Sequence, residues 1–231
     1  MAPAPYPAPP GYYPPPAYAQ PGYYSPPGYY PPPGYYPPGP VGPPPGYHEH
    51  DGFYMRLTAG LTVLNASFST NGIDNSITGA GVGFSMAFGG SITPNLVLYG
   101  EIVGSSALEP NSKYGGTSST LTDYNVNLFG IGPGVAYFLV PANVYFSGTL
   151  AFSQLTESYN GSSNSSSNNN SVDLTNMGIG ASFMVGKEWW VSTNWGLGVA
   201  GMLHLASMKM KNYDSRATAE AISILFSATC N

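Results

Sequence analysis

Three ionisable residues stand inside otherwise apolar stretches of the sequence: Arg56, Glu101 and His204. A histidine beside a carboxylate can act as a general base, and such a pair can support acyl transfer or peptide cleavage. The sequence brings no nucleophile and carboxylate together with His204 in a recognisable group. A histidine held in a polar hydrogen-bond network is therefore the favoured interpretation, and we predict that the protein is not an enzyme.

Two further histidines lie earlier in the chain, as His48-x-His50 followed by Asp51. This spacing could bind a metal ion loosely, but two histidines in a flexible segment make an incomplete ligand set. A linker is the better interpretation. Cys230 is the single cysteine of the sequence, so neither an intramolecular disulfide nor a thiolate cluster can form. We predict no metal site and no cofactor.

Charged residues are rare along the whole chain. They make up 7% of the sequence, whereas roughly 25% is usual for a soluble globular protein. A water-facing surface is hard to build from so few charges. The formal net charge is −5, and the Lys and Arg residues form no cluster that could follow a phosphate backbone. We therefore predict that the protein does not bind nucleic acid.

Residues 1–51 form a tail rich in proline, glycine and tyrosine. Its first 47 residues hold 20 of the 24 prolines and 11 of the 19 tyrosines, a composition that predicts disorder with polyproline II segments. The tail could be a spacer, a tyrosine-rich partner site or an inert extension. Residues 1–10 show neither the basic nor the apolar region of a signal peptide. We therefore expect a trimmed signal peptide or a misassigned start.

Residues 52–231 alternate apolar with small or polar residues, which indicates β-strands that have two unlike faces. Gly, Ser, Thr and Asn interrupt every apolar segment, so a membrane-spanning helix is excluded. Gly132-Pro133-Gly134 lies inside the fourth segment, and a proline there predicts a bulge. The eight predicted strand segments are 53–63, 79–88, 96–103, 123–138, 144–152, 177–185, 197–205 and 221–228.

Short turns and long polar connections alternate between these segments. Tight turns are predicted at Thr93-Pro94-Asn95, Pro141-Ala142-Asn143 and Ser192-Thr193-Asn194. Alternation places every long connection at one end of a barrel and every short turn at the other, as in transmembrane barrels with short periplasmic turns and long extracellular loops. The predicted long loops are 65–78, 105–121, 157–173 and 209–216.

The strand face opposite Phe, Leu, Ile and Val consists mostly of Gly, Ser, Thr and Ala, which fit inside a narrow barrel. A soluble barrel would instead carry Lys, Glu and Arg on its water-facing side. An arginine that faced lipid at mid-depth would cost about 2–4 kcal/mol. We therefore predict that Arg56, Glu101 and His204 lie in the lumen in a polar network. Arg56 and Glu101 could pair directly or bind other partners.

Aromatic residues gather beside two of the short turns. Amphipathic rings prefer the interface between lipid and water, which predicts an aromatic girdle at this end of the barrel. Ordinary aromatic packing at strand ends is the alternative interpretation. The predicted girdle residues are Trp189, Trp190, Trp195, Phe138 and Tyr145.

Two segments carry a family resemblance. Residues 186–199, GKEWWVSTNWGLGV, and residues 52–57, GFYMRL, resemble parts of small outer-membrane β-barrel proteins of Gram-negative bacteria. Residues 52–231 as a whole resemble the OmpA-like and OmpX-like superfamily. The resemblance implies an all-β domain, an eight-stranded antiparallel up-and-down transmembrane barrel in the bacterial outer membrane. Its loops would be extracellular and, because the strand number is even, the N-terminal tail would be periplasmic.

The resemblance also implies partners, namely outer-membrane lipid and the barrel-assembly machinery. Many members of the superfamily end in an aromatic residue that this machinery reads, whereas Phe226 is the last aromatic residue of this chain. Efficient assembly would then require Phe226 to supply the signal. An extracellular or periplasmic ligand of the loops or the tail stays open.

An eight-stranded barrel is only wide enough inside for side chains, so function must lie in the loops, the tail or the wall. We expect a non-enzymatic outer-membrane protein with a structural or surface-interaction role through its long extracellular loops. A small pore or lipid-binding barrel that contributes to transport is the alternative. A membrane enzyme is disfavoured because the sequence shows no catalytic group.

Overall fold

The computed structural model describes residues 52–140, 142–159 and 171–230, and these ranges fold almost entirely into β-strands. Within them, no helix is long and apolar enough to cross a membrane. The strands are β1 Phe53–Thr70, β2 Ile73–Thr93, β3 Leu96–Leu108, β4 Asn111–Tyr114, β5 Thr117–Thr120, β6 Tyr124–Leu139, β7 Val144–Tyr159, β8 Ser171–Asp173, β9 Gly178–Trp190, β10 Trp195–Lys209 and β11 Arg216–Cys230.

Eight of these strands close into a barrel. Strands β1, β2, β3, β6, β7, β9, β10 and β11 each pair antiparallel with the next along the chain, and β11 pairs back onto β1 from Met55 opposite Cys230 to Phe68 opposite Ala217. Closure gives each of these eight strands a partner on both sides, which an up-and-down barrel requires. The predicted fold class is therefore confirmed.

The period-two pattern assigns the two faces of the wall. On β1, Arg56 and Thr58 point inward and are buried, whereas Leu61 and Val63 point outward with 74% and 52% of their surface exposed. The inward glycines make room for large rings. A Cβ on Gly134 would lie 2.4 Å from Cε2 of Tyr99, so the barrel interior alternates small and large side chains to fill its width.

The two faces exchange polarity at one level of the barrel. Along β1 the outward residue changes from Val63 to Asn65, and the inward residue changes from Thr62 to Leu64. Above this level most outward residues are polar and most inward residues are apolar, as in a soluble barrel. We call this part the collar. Its outward polar residues include Asn65, Ser67, Ser76, Thr78, Ser207, Thr218 and Glu220, and its inward apolar core contains Leu64, Ala66, Ile77, Ala107, Val126, Leu128, Leu155, Ala206, Met208, Ala219 and Ala221.

The prediction of a long loop at residues 65–78 is wrong, because these residues continue the β1–β2 hairpin. The two strands stay in register up to Thr70 opposite Ile73. Asn71 and Gly72 alone connect them, with φ of 51° and 78°. Positive φ at both central residues is what a two-residue hairpin turn of type I′ requires, and Asn-Gly is its preferred sequence.

The second and third predicted long loops also contain strand structure where they are described. Residues 105–121 include the β4–β5 hairpin, which turns at Gly115 and Gly116 and pairs with the outer part of β2. Within 157–173, β8 pairs with β7, and residues 160–170 lie outside the described ranges. The predicted short turns connect β2 to β3, β6 to β7 and β9 to β10 at the opposite end.

The prediction of a bulge at Gly132-Pro133-Gly134 is wrong. Strand β6 keeps one register with β3 from Leu96 opposite Tyr137 to Leu108 opposite Asn125. Proline has no backbone N–H group, so it can remove one interstrand hydrogen bond on one side of the strand without changing the register. The register irregularity between β2 and β3 lies instead at Ser91 and Thr93, beside a short turn.

The polarity exchange can be tested with one substitution on each side of its level in β2. Met86 points outward in the apolar part of the wall and is 39% exposed, whereas Ser76 points outward in the collar. We expect Met86→Lys to lower the free energy of unfolding by about 2–4 kcal/mol, because the ammonium group would face lipid. Ser76→Lys should change it by less than about 0.5 kcal/mol.

Both variants of the full chain are measured by urea unfolding in phosphatidylcholine vesicles. Equal losses in the two variants would show that lipid does not end between these positions.

Candidate functional site

An ion pair lies in the lumen between Arg56 of β1 and Glu101 of β3. The Arg56 Nη2 atom is 3.2 Å from Glu101 Oε1, and both side chains are almost fully buried. The second guanidinium nitrogen, Nη1, donates to Ser147 Oγ on β7 at 3.2 Å. Of the two arrangements left open by the sequence, the structure contains the direct pair.

The other carboxylate oxygen of Glu101 is also bonded. Its Oε2 accepts hydrogen bonds from Thr149 Oγ1 at 2.5 Å and from Ser182 Oγ at 3.1 Å. The Tyr99 hydroxyl oxygen lies 3.1 Å from Thr149 Oγ1 and donates a hydrogen bond to it, because the Thr149 hydroxyl hydrogen is directed to Glu101. A buried ion pair is tolerated when further hydrogen bonds satisfy its polar atoms. This network meets that condition for the carboxylate.

Aromatic rings cover the guanidinium group on two sides. The Arg56 Cζ atom lies 5.4 Å from the ring centre of Tyr99 and 5.0 Å from that of Tyr145. Cation–π contacts of this kind are stronger when desolvated, as they are here. The rings and the hydroxyls therefore hold the single buried cation of the described lumen in one place.

The predicted girdle needs a correction at Phe138 and Tyr145. Both are fully buried inside the barrel, where their ring centres lie 5.4 Å apart. Period two along β6 and β7 turns them inward, so their closeness to a turn was a misleading signal. Trp189 and Trp195 lie on the outside, 56% and 38% exposed. Trp190, at the end of β9, is half-buried, and a girdle of the three tryptophans stays a prediction.

His204 of β10 is fully buried and stands apart from the ion pair. Its Nε2 atom lies 3.2 Å from Ser153 Oγ. A serine beside a histidine can form a nucleophile and base, but such a pair works with a third group that orients the histidine. His204 Nδ1 has no hydrogen-bond partner among the described residues. Its cross-strand neighbour Ala221 belongs to the collar core, which covers the pair.

Glu188 of β9 is a luminal carboxylate that the sequence analysis missed. It is fully buried, and its Oε1 accepts hydrogen bonds from Ser227 Oγ and Thr229 Oγ1, both at 2.6 Å. Its Oε2 atom has no partner among the described residues. Period two from Ser182 onward places Glu188 inward, and this signal was available in the sequence.

Packed side chains fill the lumen at both ends. The collar core fills the end with the long connections, and a second apolar cluster fills the end with the short turns. Among the described residues, no three His, Cys, Asp or Glu side chains are grouped to hold a metal ion. His48, His50 and Asp51 lie outside the described ranges. The second cluster contains Tyr54, Ala87, Val97, Tyr99, Val103, Ala136, Phe138, Tyr145, Met184, Ala200, Met202 and Leu225.

No protein-family model and no curated protein matches this sequence. Among solved structures, the chain is similar to neisserial surface protein A, with 16% identity, a TM-score of 0.45 and coverage of 78% of this chain and 97% of that one. It is also similar to the attachment invasion locus protein Ail of Yersinia pestis, with 9% identity, a TM-score of 0.38 and coverage of 77% and 99%.

A further similar structure is the outer membrane protein OprG from Pseudomonas aeruginosa, with 12% identity, a TM-score of 0.41 and coverage of 79% and 97%. Because these identities and TM-scores are low, the surroundings of the barrel are inferred from the residues on its outer surface.

The exterior below the collar is apolar on every strand. Ile224, Leu61 and Ile179 expose 75%, 74% and 72% of their surface, and they belong to a band that encircles the barrel. A soluble monomer rarely exposes an apolar patch beyond a few hundred Å², whereas lipid requires such a band and a backbone closed on itself. The protein is therefore a transmembrane β-barrel.

A double-mutant cycle tests the luminal ion pair. We expect Arg56→Met to lower the free energy of unfolding by about 3–5 kcal/mol, because Glu101 then stays buried without a cation. Glu101→Gln in the same chain removes that unpaired charge, so the double variant should be more stable than the sum of the two single losses predicts. The measurement is urea unfolding in lipid vesicles. Additive losses would show that the two side chains are not coupled.

Proposed function

We propose that the protein is a non-enzymatic outer-membrane anchor that displays its collar and long connections at the cell surface, for a structural or surface-interaction role. One observation carries this proposal: strands β1 and β2 continue beyond the lipid-facing band with an apolar core of their own. A core of this kind holds the display surface rigid, whereas bare loops would be mobile. In this role, the packed side chains of the lumen are needed only to stabilise the barrel.

Exposed side chains at the collar end supply material for contacts. Tyr114, at the tip of the β4–β5 hairpin, is 59% exposed, and Tyr213, in the β10–β11 connection, is 45% exposed. Tyrosine is enriched in protein interfaces because its ring combines apolar area with a polar hydroxyl. The same end also carries Lys113 and Lys211, so both apolar and charged contacts are available there.

The non-enzymatic part of the proposal draws support from the surroundings of His204. Ser153 and His204 are both fully buried, and a substrate would have to displace the collar core to reach them. Loss of an acyl-transfer or peptidase activity of the purified barrel on Ser153→Ala would contradict this part of the proposal.

Surface display is tested by cysteine labelling on intact cells. In a Cys230→Ser background, Tyr114→Cys should react with a membrane-impermeant maleimide without lysis, because the hairpin would lie outside the cell. The matched control is Thr193→Cys in the β9–β10 turn, which should react only after the outer membrane is opened. Labelling of Thr193→Cys but not of Tyr114→Cys on intact cells would reverse the proposed orientation.

Planar-bilayer recording separates this proposal from a small pore. The full chain should give no reproducible unit conductance, since side chains occupy the lumen. Regular single-channel steps of the unsubstituted protein would favour the transport alternative.

A further inference from the structure

Two cations face each other on the outer wall of the collar. The chain has 6 Lys and Arg residues in all, yet Lys209 of β10 and Arg216 of β11 are register partners, both exposed. Like charges directly opposite each other on adjacent strands are destabilising. A bound anion that lies between them would turn this unfavourable pairing into a favourable one.

The pair lies just above the lipid-facing band. Going down β10 from Lys209, the outward residues are Ser207 and then Leu205. The distance from Lys209 to Leu205 is four residues, or roughly 13 Å along the strand at about 3.3 Å per residue. Long basic side chains extend toward the headgroup level of a membrane. Arg216 Nε donates to Ser207 Oγ at 3.4 Å, which directs the guanidinium group down the wall.

A groove runs along the wall below the two cations. Its membrane side is apolar and its collar side is polar, so the groove crosses the level at which lipid headgroups lie. The small side chain of Ala181 leaves the depression between longer neighbours on either side. The groove is lined mainly by Leu150, Ile179, Ala181 and Leu205 on the membrane side, and by Asn65, Ser207, Thr218 and Glu220 on the collar side.

The neighbouring carboxylates leave the cations available. Lys209 Nζ lies 3.0 Å from Asp214 Oδ1, but these side chains are 60% and 98% exposed, and an ion pair in water contributes little. Arg216 makes no ion pair with a described residue. Glu220, at the collar side of the groove, accepts a hydrogen bond from Asn65 Nδ2 at 3.2 Å. It remains an acceptor for hydroxyl groups.

We propose that this groove binds a phosphorylated glycolipid of the outer leaflet. The phosphate lies between Lys209 and Arg216, sugar hydroxyls donate to Glu220, and one acyl chain lies over Ala181. Phosphate is the anion that a lysine and an arginine bind together at a membrane surface. The inference rests on the lipid-facing wall and on an extracellular collar. It therefore rests on the cell-surface orientation of the proposed function, but not on the surface-interaction role.

The test uses the full-length protein in detergent micelles and native mass spectrometry, with a bisphosphorylated, acylated glucosamine disaccharide as the probe. Lys209→Gln/Arg216→Gln should weaken binding at least about tenfold, since each basic residue near an anionic surface contributes about 1 kcal/mol. The matched control, Lys113→Gln/Lys211→Gln, removes the same charge from the same end of the barrel outside the groove. It should bind as the unsubstituted protein does.

Two further measurements separate the groove from its charges. Ala181→Phe, which fills the depression and keeps both cations, should also weaken binding, and the dephosphorylated disaccharide should bind the unsubstituted protein as weakly as the phosphorylated probe binds the Lys209→Gln/Arg216→Gln variant. A mobility shift on heating in SDS confirms that each variant is folded.

Three results would overturn the proposal: equal weakening in the control double variant, equal affinity for phosphorylated and dephosphorylated probes, or equal affinity for phosphatidylglycerol. Each would assign the groove to general charge attraction or to ordinary membrane lipid. A second copy of the chain bound at the groove in place of the probe would overturn it as well.

Discussion

Closure of the β1–β11 pair is the constraint on which the rest of this structure depends. Lipid offers no hydrogen bonds to a backbone N–H or C=O group, so a sheet can lie in it only when both of its edges are paired. Met55 to Phe68 supply this pairing with β11. Closing eight strands fixes a narrow interior, and the narrow interior in turn requires glycine beside two of the luminal tyrosine rings, those of Tyr99 and Tyr145. Gly186 illustrates this, because a Cβ there would lie 2.4 Å from the Tyr145 ring.

The luminal polar network joins strands that are distant around the wall. Arg56 of β1 bonds Glu101 of β3 and Ser147 of β7, and Glu101 bonds Ser182 of β9. These bonds cross the barrel, whereas the ladder bonds run around it. A slip of one residue on any of the strands would turn its network member outward into lipid. The network therefore favours one register of the closed barrel, even if the net stability contributed by a buried ion pair is small.

The alternation of residue types with period two predicts which side chains point into the lumen and which point outward. The wrong predictions lie where a turn or a polar composition indicates something else. Closeness to a turn predicts that Phe138 and Tyr145 belong to the girdle, although their parity with Ala136 and Ser147 places them in the lumen. The polar composition of residues 65–78 predicts a loop, although the alternation continues there with inverted polarity. The Asn71-Gly72 turn was present as a local signal. The direct contact of Arg56 with Glu101 could not be read from the chain, because it depends on strand tilt and stagger.

The inversion of polarity explains why these strands are longer than a bilayer needs. A transmembrane strand requires about 9–11 residues, whereas β1 has 18 and β2 has 21. The additional residues would be a poor membrane wall, since Asn65, Thr78 and Glu220 face outward there. They form a good water-exposed barrel, because Leu64 and Leu128 are fully buried inside. One closed sheet is thus in contact with lipid along one part of its length and with water along the other. The level between Val63 and Asn65 fixes its depth in the membrane. The lipid-facing band sets how deep the barrel lies in the membrane, and the collar is the part of the same sheet that extends beyond the lipid.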